Sequence, residues 1–338
     1  MKILQIAAKA CLFFLILFTI IELGLRINGT YYTYSETALG NYHSEYGREL
    51  EDWYNAWAKN DSFVIKNAEF SYLYQTNEYG YREKSIYEID TNERKIFFLG
   101  DSFTEGFGAA TDSTFPKQVE KLFHRDSIDI SVYNFGRSGS DPFQSFTTLR
   151  DQVIPLKPEC VIICTHNNDL SDIMMRGGFE RFQEDGTTKY KKGPWFHFFY
   201  KHSHIARFLV HQVYDYDWRL IKLDEFKERE LQAKILLDGS FQRSDSLCRQ
   251  YGIKFIALGF VDPWDYCYNN IKTNYSLNDL VDSNTTNYQV LHISEAMIKS
   301  KTAGECTDIS WPQDRHYNAL GYEILGECIY EKILPLVK

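Results

Sequence analysis

The sequence predicts an α/β protein built on a doubly wound parallel sheet. From Lys95 onward, short apolar runs bounded by turn residues alternate with segments of helical periodicity. The runs are apolar at consecutive positions, as in strands covered on both faces. At 338 residues and 44% hydrophobic, the chain suits one large domain or two small ones, with ample material for a core.

The elements follow in chain order. Lys2 and Lys9 precede Ala10–Ile21, in which only Thr19 is polar, and Leu23, Leu25 and Ile27 extend the run past Glu22. Counted over 3–27, the stretch can span a bilayer if Lys9 snorkels. No A-x-A-like site follows it, so residues 1–27 are expected to be a retained signal anchor, with a cleaved signal as the alternative. The basic flank predicts the N-terminus inside and the bulk of the chain on the periplasmic or extracytoplasmic side. Cys11 lies in the apolar run without lipobox-like neighbours. Residues 28–94 are polar and aromatic without a sustained period and read as an arm laid over the domain, with a turn centred on Gly80.

Strands are expected at Ile96–Leu99, Ile130–Phe135, Val161–Cys164, Ile253–Phe260 and Val290–Ile293. Helical faces fall between them: Phe115, Val119, Leu122 and Phe123; then Phe143, Phe146, Leu149 and Val153; then the amphipathic Leu231–Tyr251; and last Ala319, Leu325, Cys328, Ile329 and Ile333. Residues 95–338 thus form the main domain, interrupted by an insertion at about 176–230. The insertion carries Trp195 to Tyr200, then Ile205, Phe208, Leu209 and Val213. It reads as a packed helical hairpin, or else as a lid or membrane-facing surface. Histidines 197, 202, 204 and 211 lack the carboxylate or cysteine spacing of a metal site.

Composition narrows the function classes. The net charge is −9, and there is no long basic run outside the N-terminus, which argues against nucleic acid as a main partner. The 24 Tyr and 24 Phe fit a core plus a carbohydrate- or lipid-facing surface. Among the seven cysteines, Cys160 and Cys164 read as small core hydrophobes, while Cys267 and Cys306 sit in loop-like segments that could pair in an oxidising compartment. No C-x-x-C exists to suggest zinc.

In open α/β sheets, ligands bind beyond the carboxyl ends of the strands. Gly100-Asp101-Ser102 follows the first run, Asn134-Phe135-Gly136-Arg137-Ser138-Gly139 ends the second, Asn168-Asp169 follows the third, and Asp314-Arg315-His316 precedes the last helix. A serine hydroxyl needs a base to become nucleophilic, and His316 is the candidate. Asp314 can orient it if both side chains point to one side of an extended segment. The N–H groups of Ser102 and Gly139 and the Asn168 amide can meet a tetrahedral oxyanion. Plainer uses compete at each position: Asn168 as a helix cap, Gly139 as a turn residue, Asp314 as a cap of the last helix, His316 as a surface residue. The missing second glycine of G-x-S-x-G makes the segment a poor α/β-hydrolase elbow.

These four blocks, in this order, resemble the SGNH/GDSL hydrolase family over about residues 95–338. The N-terminal anchor, Asn77 to Arg82 and Phe103-Thr104-Glu105-Gly106 resemble a bacterial membrane-anchored branch. The resemblance implies a three-layer αβα sandwich with five parallel strands (flavodoxin-like). It implies Ser102 as nucleophile, Asp314 and His316 completing a triad, and Ser102, Gly139 and Asn168 as the oxyanion hole. Phe103, His166 and Asp169 are expected in the pocket. The implied activity is an esterase on acylated carbohydrate or lipid, such as O-acetyl groups of an envelope glycan, with no cofactor and no metal. The sequence departs from the family pattern in two places. His166 stands where a glycine is usual, and the acid lies two residues before the histidine rather than three. A related acyltransferase-like branch uses the two-residue spacing followed by His-x-Asn, as in His316-Tyr317-Asn318. Glycan O-acyl transfer is therefore an alternative, and a degenerate glycan- or lipid-binding scaffold is another.

Overall fold

In the computed structural model, residues 2–28, 49–50, 58–166, 168–262, 277–281, 286–302 and 304–338 are described. The chain divides into two compact units, 1–51 with 174–232, and 52–173 with 233–338. The Cys267–Cys306 pairing lies outside what the described residues address.

The second unit contains a five-stranded parallel sheet. Its strands are β3 (Lys95–Gly100), β4 (Ser131–Gly136), β5 (Cys160–Thr165), β6 (Lys254–Phe260) and β7 (Gln289–Ile293), in the spatial order β4-β3-β5-β6-β7. The sequence places each strand to within a residue or two at either end. Side chains alternate across the sheet. Phe98, Ile162 and Leu258 join Phe115, Val119 and Phe123 of α3 (Phe115–Arg125) and Tyr322, Leu325 and Ile329 of α10 (Ala319–Val337) in one buried cluster. On the other face Phe97 stacks on Tyr133 at 4.9 Å and meets Phe135 edge-on at 5.1 Å. α4 (Pro142–Thr148) and α8 (Phe226–Gln250) run between the strands, and α9 (Glu295–Lys301) precedes the loop to α10. Cys160 and Cys164 are buried free thiols inside β5, as expected of core residues.

The strand order puts the topological switch between β3 and β5. The chain leaves β3 towards one edge of the sheet and crosses back past it after β4. Adjacent loops diverge there and leave a crevice at the carboxyl ends. α2 (Ser102–Glu105) starts directly after β3, and α5 (Asn168–Arg176) starts after β5.

Residues 58–94, part of the segment read as an arm, form regular structure. They include an antiparallel hairpin, β1 (Ser62–Lys66) with β2 (Ser71–Gln75). Asn67 Oδ1 closes the turn by accepting from the N–H groups of Glu69 and Phe70 at 2.8 and 2.9 Å. One hairpin face packs Phe70, Tyr72 and Tyr74 against Phe107 and Trp311. The expected turn at Gly80 is present, with Asn77 Oδ1 accepting from the N–H groups of Tyr79 and Tyr81.

In the first unit, α1 (Lys2–Asn28) is one continuous helix, long and apolar enough to cross a membrane. The inserted segment forms two short helices, α6 (His197–His202) and α7 (His204–Gln212).

Candidate active site

Ser102 opens α2 and is held there by its neighbours. Asp101 caps the helix, its Oδ1 accepting from Phe103 N–H at 3.0 Å. Gly106 ends it in the left-handed conformation. A helix this short has no stability of its own and depends on such contacts. It lies over Gly136 on β4, where an added Cβ would fall 2.3 Å from Glu105 N, so only glycine lets the two backbones meet. Asn134 braces the same turn, accepting from Gly136 N–H at 2.9 Å.

The structure brings Ser102, His316 and Asp314 into one hydrogen-bonded chain. Ser102 Oγ lies 2.7 Å from His316 Nε2, and His316 Nδ1 lies 2.6 Å from Asp314 Oδ1. A carboxylate only accepts, so Nδ1 carries the proton and Nε2 is left to accept from the Ser102 hydroxyl. The imidazole sits against the rings of Phe103 and Phe107, at centroid distances of 4.6 and 5.1 Å. His316 and Asp314 keep about a fifth of their side-chain surface exposed, so the chain opens to solvent.

The path between Asp314 and His316 differs from the extended segment expected. Residues 312–314 form a turn and Arg315 is left-handed, at φ 79°. Trp311 N–H donates to His316 O at 2.9 Å, Arg315 N–H donates to Trp311 O at 2.8 Å, and Ser310 bridges Tyr317. The closed loop folds the Asp314 side chain back onto its neighbour two residues on. The cap of α10 is Asn318, whose Oδ1 accepts from Gly321 N–H at 3.0 Å.

The Asn168 amide lies beside the serine turn, with Nδ2 3.3 Å from Asp101 Oδ2. One of its two N–H bonds is thereby used, which fixes the direction of the other. Gly139 has φ 75°, and nothing lies within 4 Å of where its Cβ would be. Its glycine serves the left-handed backbone and leaves open space beside it.

The three residues assigned to the pocket are buried around Ser102. Phe103 packs edge-on against His166 at 4.4 Å. His166 Nε2 donates to Asp101 Oδ2 at 2.7 Å, and Asp169 Oδ2 accepts from His166 N–H at 3.0 Å. Burial alone would keep the His166 imidazole neutral. The Asp101 charge outweighs it, with help from Asp169 and Asp262, and raises the group to about 10. Asp101 is shifted the opposite way, below the usual aspartate value: burial would raise it, and the His166 charge and hydrogen bond overcome that. Burial, together with the Asp101 charge, pushes Asp169 up to about 7. A charged Asp101–His166 pair thus sits directly behind the serine.

Several supporting residues lie in the segment read as an arm laid over the domain. Glu69, at the hairpin tip, accepts from Gln313 N–H at 2.9 Å and Asp314 N–H at 2.7 Å. The buried Arg82 guanidinium lies over the rings of Tyr72 and Tyr74, 4.9 Å from each. It donates to the carbonyls of Glu105, Gly106 and Ala109 at 3.3, 3.0 and 2.8 Å. Tyr74 Oη donates to Glu105 Oε1 at 2.7 Å, and Glu105 Oε2 accepts from Ser138 N–H, beside Gly139. The readable signal was the alternation of Phe63 and Ile65 with Tyr72 and Tyr74 about an Asn turn.

No curated protein sequence matches the chain. Among solved structures it is similar to a lipolytic protein of the G-D-S-L family from Desulfitobacterium hafniense DCB-2, at 16% identity and TM-score 0.42, over 70% of this chain and 98% of that one. It is similar to the psychrotrophic esterase EstA from Pseudoalteromonas sp., at 12% and 0.42, over 72% and 99%. A family 3 carbohydrate esterase from Clostridium thermocellum gives 13% and 0.42, over 72% and 96%. The sequence itself decides the family: residues 96–329 match the model for GDSL-like Lipase/Acylhydrolase, and this chain belongs to that family of ester hydrolases.

Proposed function

We propose that the protein is a membrane-anchored serine esterase that cleaves acyl esters through an acyl-enzyme on Ser102. The observation that carries this reading is the continuous chain from Ser102 Oγ through His316 to Asp314, at 2.7 and 2.6 Å. Ser102 Oγ attacks the ester carbonyl carbon, and its proton passes to His316 Nε2. Asp314 holds the imidazole and stabilises its charged form. The carbonyl oxygen, now an oxyanion, is met by the N–H groups of Ser102 and Gly139 and by Asn168 Nδ2. The intermediate collapses, the C–O bond to the alcohol breaks, and the alcohol leaves with the proton from Nε2. Water then attacks the acyl-serine by the same steps, freeing the acid and restoring Ser102.

The substrate class we favour is O-acetyl groups on an envelope glycan. An α1 anchor with the bulk of the chain on the extracytoplasmic side would place the enzyme beside such polymers. Acyl transfer to a glycan hydroxyl would use the same acyl-serine, with the sugar replacing water. Its sequence motive was the two-residue spacing of Asp314 and His316 followed by Asn318. The spaced pair is hydrogen-bonded at 2.6 Å, while Asn318 caps α10 through Oδ1 and donates from Nδ2 to the Asp308 carbonyl at 2.6 Å. Hydrolysis is the reading we favour, with acyl transfer as its alternative.

The test is fluorophosphonate labelling of the full chain in detergent, alongside p-nitrophenyl acetate turnover. The wild type should label at Ser102 and turn over the ester. Ser102→Ala should do neither while keeping its melting temperature. Equal turnover by the alanine variant, or a folded wild type that does not label, refutes the proposal.

A further inference from the structure

The first unit holds an apolar groove that the chemistry at Ser102 does not use. Its accessible volume is about 610 Å³, and its walls include Phe18 of α1, Trp195, Phe199, Ala206, Leu209 and Tyr214. We propose that this groove binds an acyl chain of a phospholipid in the outer leaflet, with α6 and α7 seated in the membrane interface beside α1. The inference rests on reading α1 as membrane-spanning, and the test below separates failure of one from failure of the other.

Glu22 of α1 accepts from Ser203 Oγ, His204 N–H and Ile205 N–H at 2.9, 2.9 and 3.0 Å, so it caps α7 from outside. One turn on, Arg26 pairs with Glu22 at 2.8 Å and donates to His202 O at 2.7 Å. Arg207 then ties α7 to α6 through the carbonyls of Tyr200 and Lys201. The polar groups that join the three helices gather at the C-terminal end of α1.

Phe18 lies eight residues before Arg26, which is about 12 Å along the helix axis. Half of a hydrocarbon core is about 15 Å. If Arg26 marks the outer interface, Phe18 and the groove it lines lie at the level of outer-leaflet acyl chains. None of the residues of α1 is buried, and Phe18 belongs both to its apolar surface and to the groove wall.

The inserted segment as a whole buries Tyr200, Val210 and Leu220 against one another. It leaves Trp195 86% exposed just before α6, Phe198 67% on α6 and Tyr214 59% just after α7. An outward face this aromatic is unfavourable in water and suits the interfacial zone, where Trp and Tyr concentrate. Lys222, at the groove's edge and paired with Asp224 at 3.2 Å, is a cation of the kind that meets a lipid phosphate.

The test uses the full chain in phosphatidylcholine nanodiscs. With lipid brominated near the top of the acyl chain, Trp fluorescence should be quenched, and Trp195→Phe should remove at least half of that quenching. A phosphatidylcholine carrying a photoreactive diazirine on its acyl chain should label both α1 and the 195–216 segment. Ala206→Phe, which fills the groove, should cut labelling of that segment at least fivefold and leave α1 labelling unchanged. Labelling of α1 alone overturns the groove and leaves the anchor standing; labelling of neither overturns both. A groove occupied by α1 of a second copy would give cross-linked dimers without lipid adducts at 195–216, and this also overturns the proposal.

Discussion

Replacing His166 by glutamine should destabilise the enzyme far more than its distance from the reacting atoms suggests. His166 is 2% exposed and Asp101 5%, and they share a 2.7 Å hydrogen bond. The variant leaves the Asp101 carboxylate buried with only uncharged donors, Phe103 N–H at 3.0 Å and Asn168 Nδ2 at 3.3 Å. Breaking one partner of a buried ion pair costs about 3–5 kcal/mol. At about 2–4 °C per kcal/mol for a unit of this size, the melting temperature should fall by about 6–20 °C. The pH dependence identifies the cause. The imidazole is raised from 6.5 to about 10 on folding, so its stabilisation is complete below pH 6.5 and is lost as pH rises through about 10. Asp101 is held below its ordinary 3.8, so its share is present above that value and is lost as pH falls through the lowered one. The wild-type advantage over the variant should therefore plateau between about pH 4 and 6.5 and decline towards pH 10. Thermal melts of the purified chain in detergent, repeated across that range, measure it. The double variant Asp101→Asn with His166→Gln replaces the pair by two amides and should recover part of the loss, with a coupling of about 0.5–3 kcal/mol. A single-variant loss below 1 kcal/mol, or a difference independent of pH, would show that no charged pair exists behind the serine.

Two further outcomes test the surroundings of Ser102. Asn168→Ala removes one of the proposed oxyanion donors and should lower kcat about 10²–10³-fold, equivalent to about 2.7–4 kcal/mol, with KM for p-nitrophenyl acetate little changed; a loss confined to KM would assign the amide to substrate binding instead. Glu69→Ala frees the N–H groups of Gln313 and Asp314 and should slow fluorophosphonate labelling about tenfold, or about 1.4 kcal/mol, while the melting temperature moves by only a few degrees; an unchanged labelling rate would remove Glu69 from the positioning of His316.

What was legible follows from how local each signal is. The strands were readable because a strand buried on both faces must be apolar throughout, as Ile96 to Leu99 and Val161 to Cys164 are. Ser102, His316 and Asp314 were readable as a set because the topology brings the ends of β3 and β5 together with the loop before α10. The conformation of that loop was not readable, since it depends on a left-handed arginine, and arginine carries no preference that announces one. Glu69 and Arg82 were hidden for a different reason. Their partners are backbone groups 245 and 23 to 27 residues away, and backbone groups leave no trace in a sequence. His166 was visible as a departure from a glycine pattern, but its role depends on Asp101, which the motif had already assigned to the turn.

These hidden contacts explain how one turn of helix holds Ser102 in place. A four-residue helix leaves every carbonyl of its last turn without an intrahelical partner. Gly106 N–H closes back onto the Ser102 and Phe103 carbonyls, and Arg82 takes those of Glu105 and Gly106, a cation at the negative end of the helix. At the other end the Asp101 carboxylate caps the first turn while His166 and Asn168 fix its second oxygen. The Glu105 side chain then links Tyr74 of the hairpin to Ser138, so the same turn that carries Ser102 also sets the loop containing Gly139. Ser102 and the loop containing Gly139 are therefore positioned by one polar network, and two of its members, Tyr74 and Arg82, precede the residues matched by the family model. The hairpin before β3 is consequently part of what makes Ser102 a defined position rather than an appendage to the sheet.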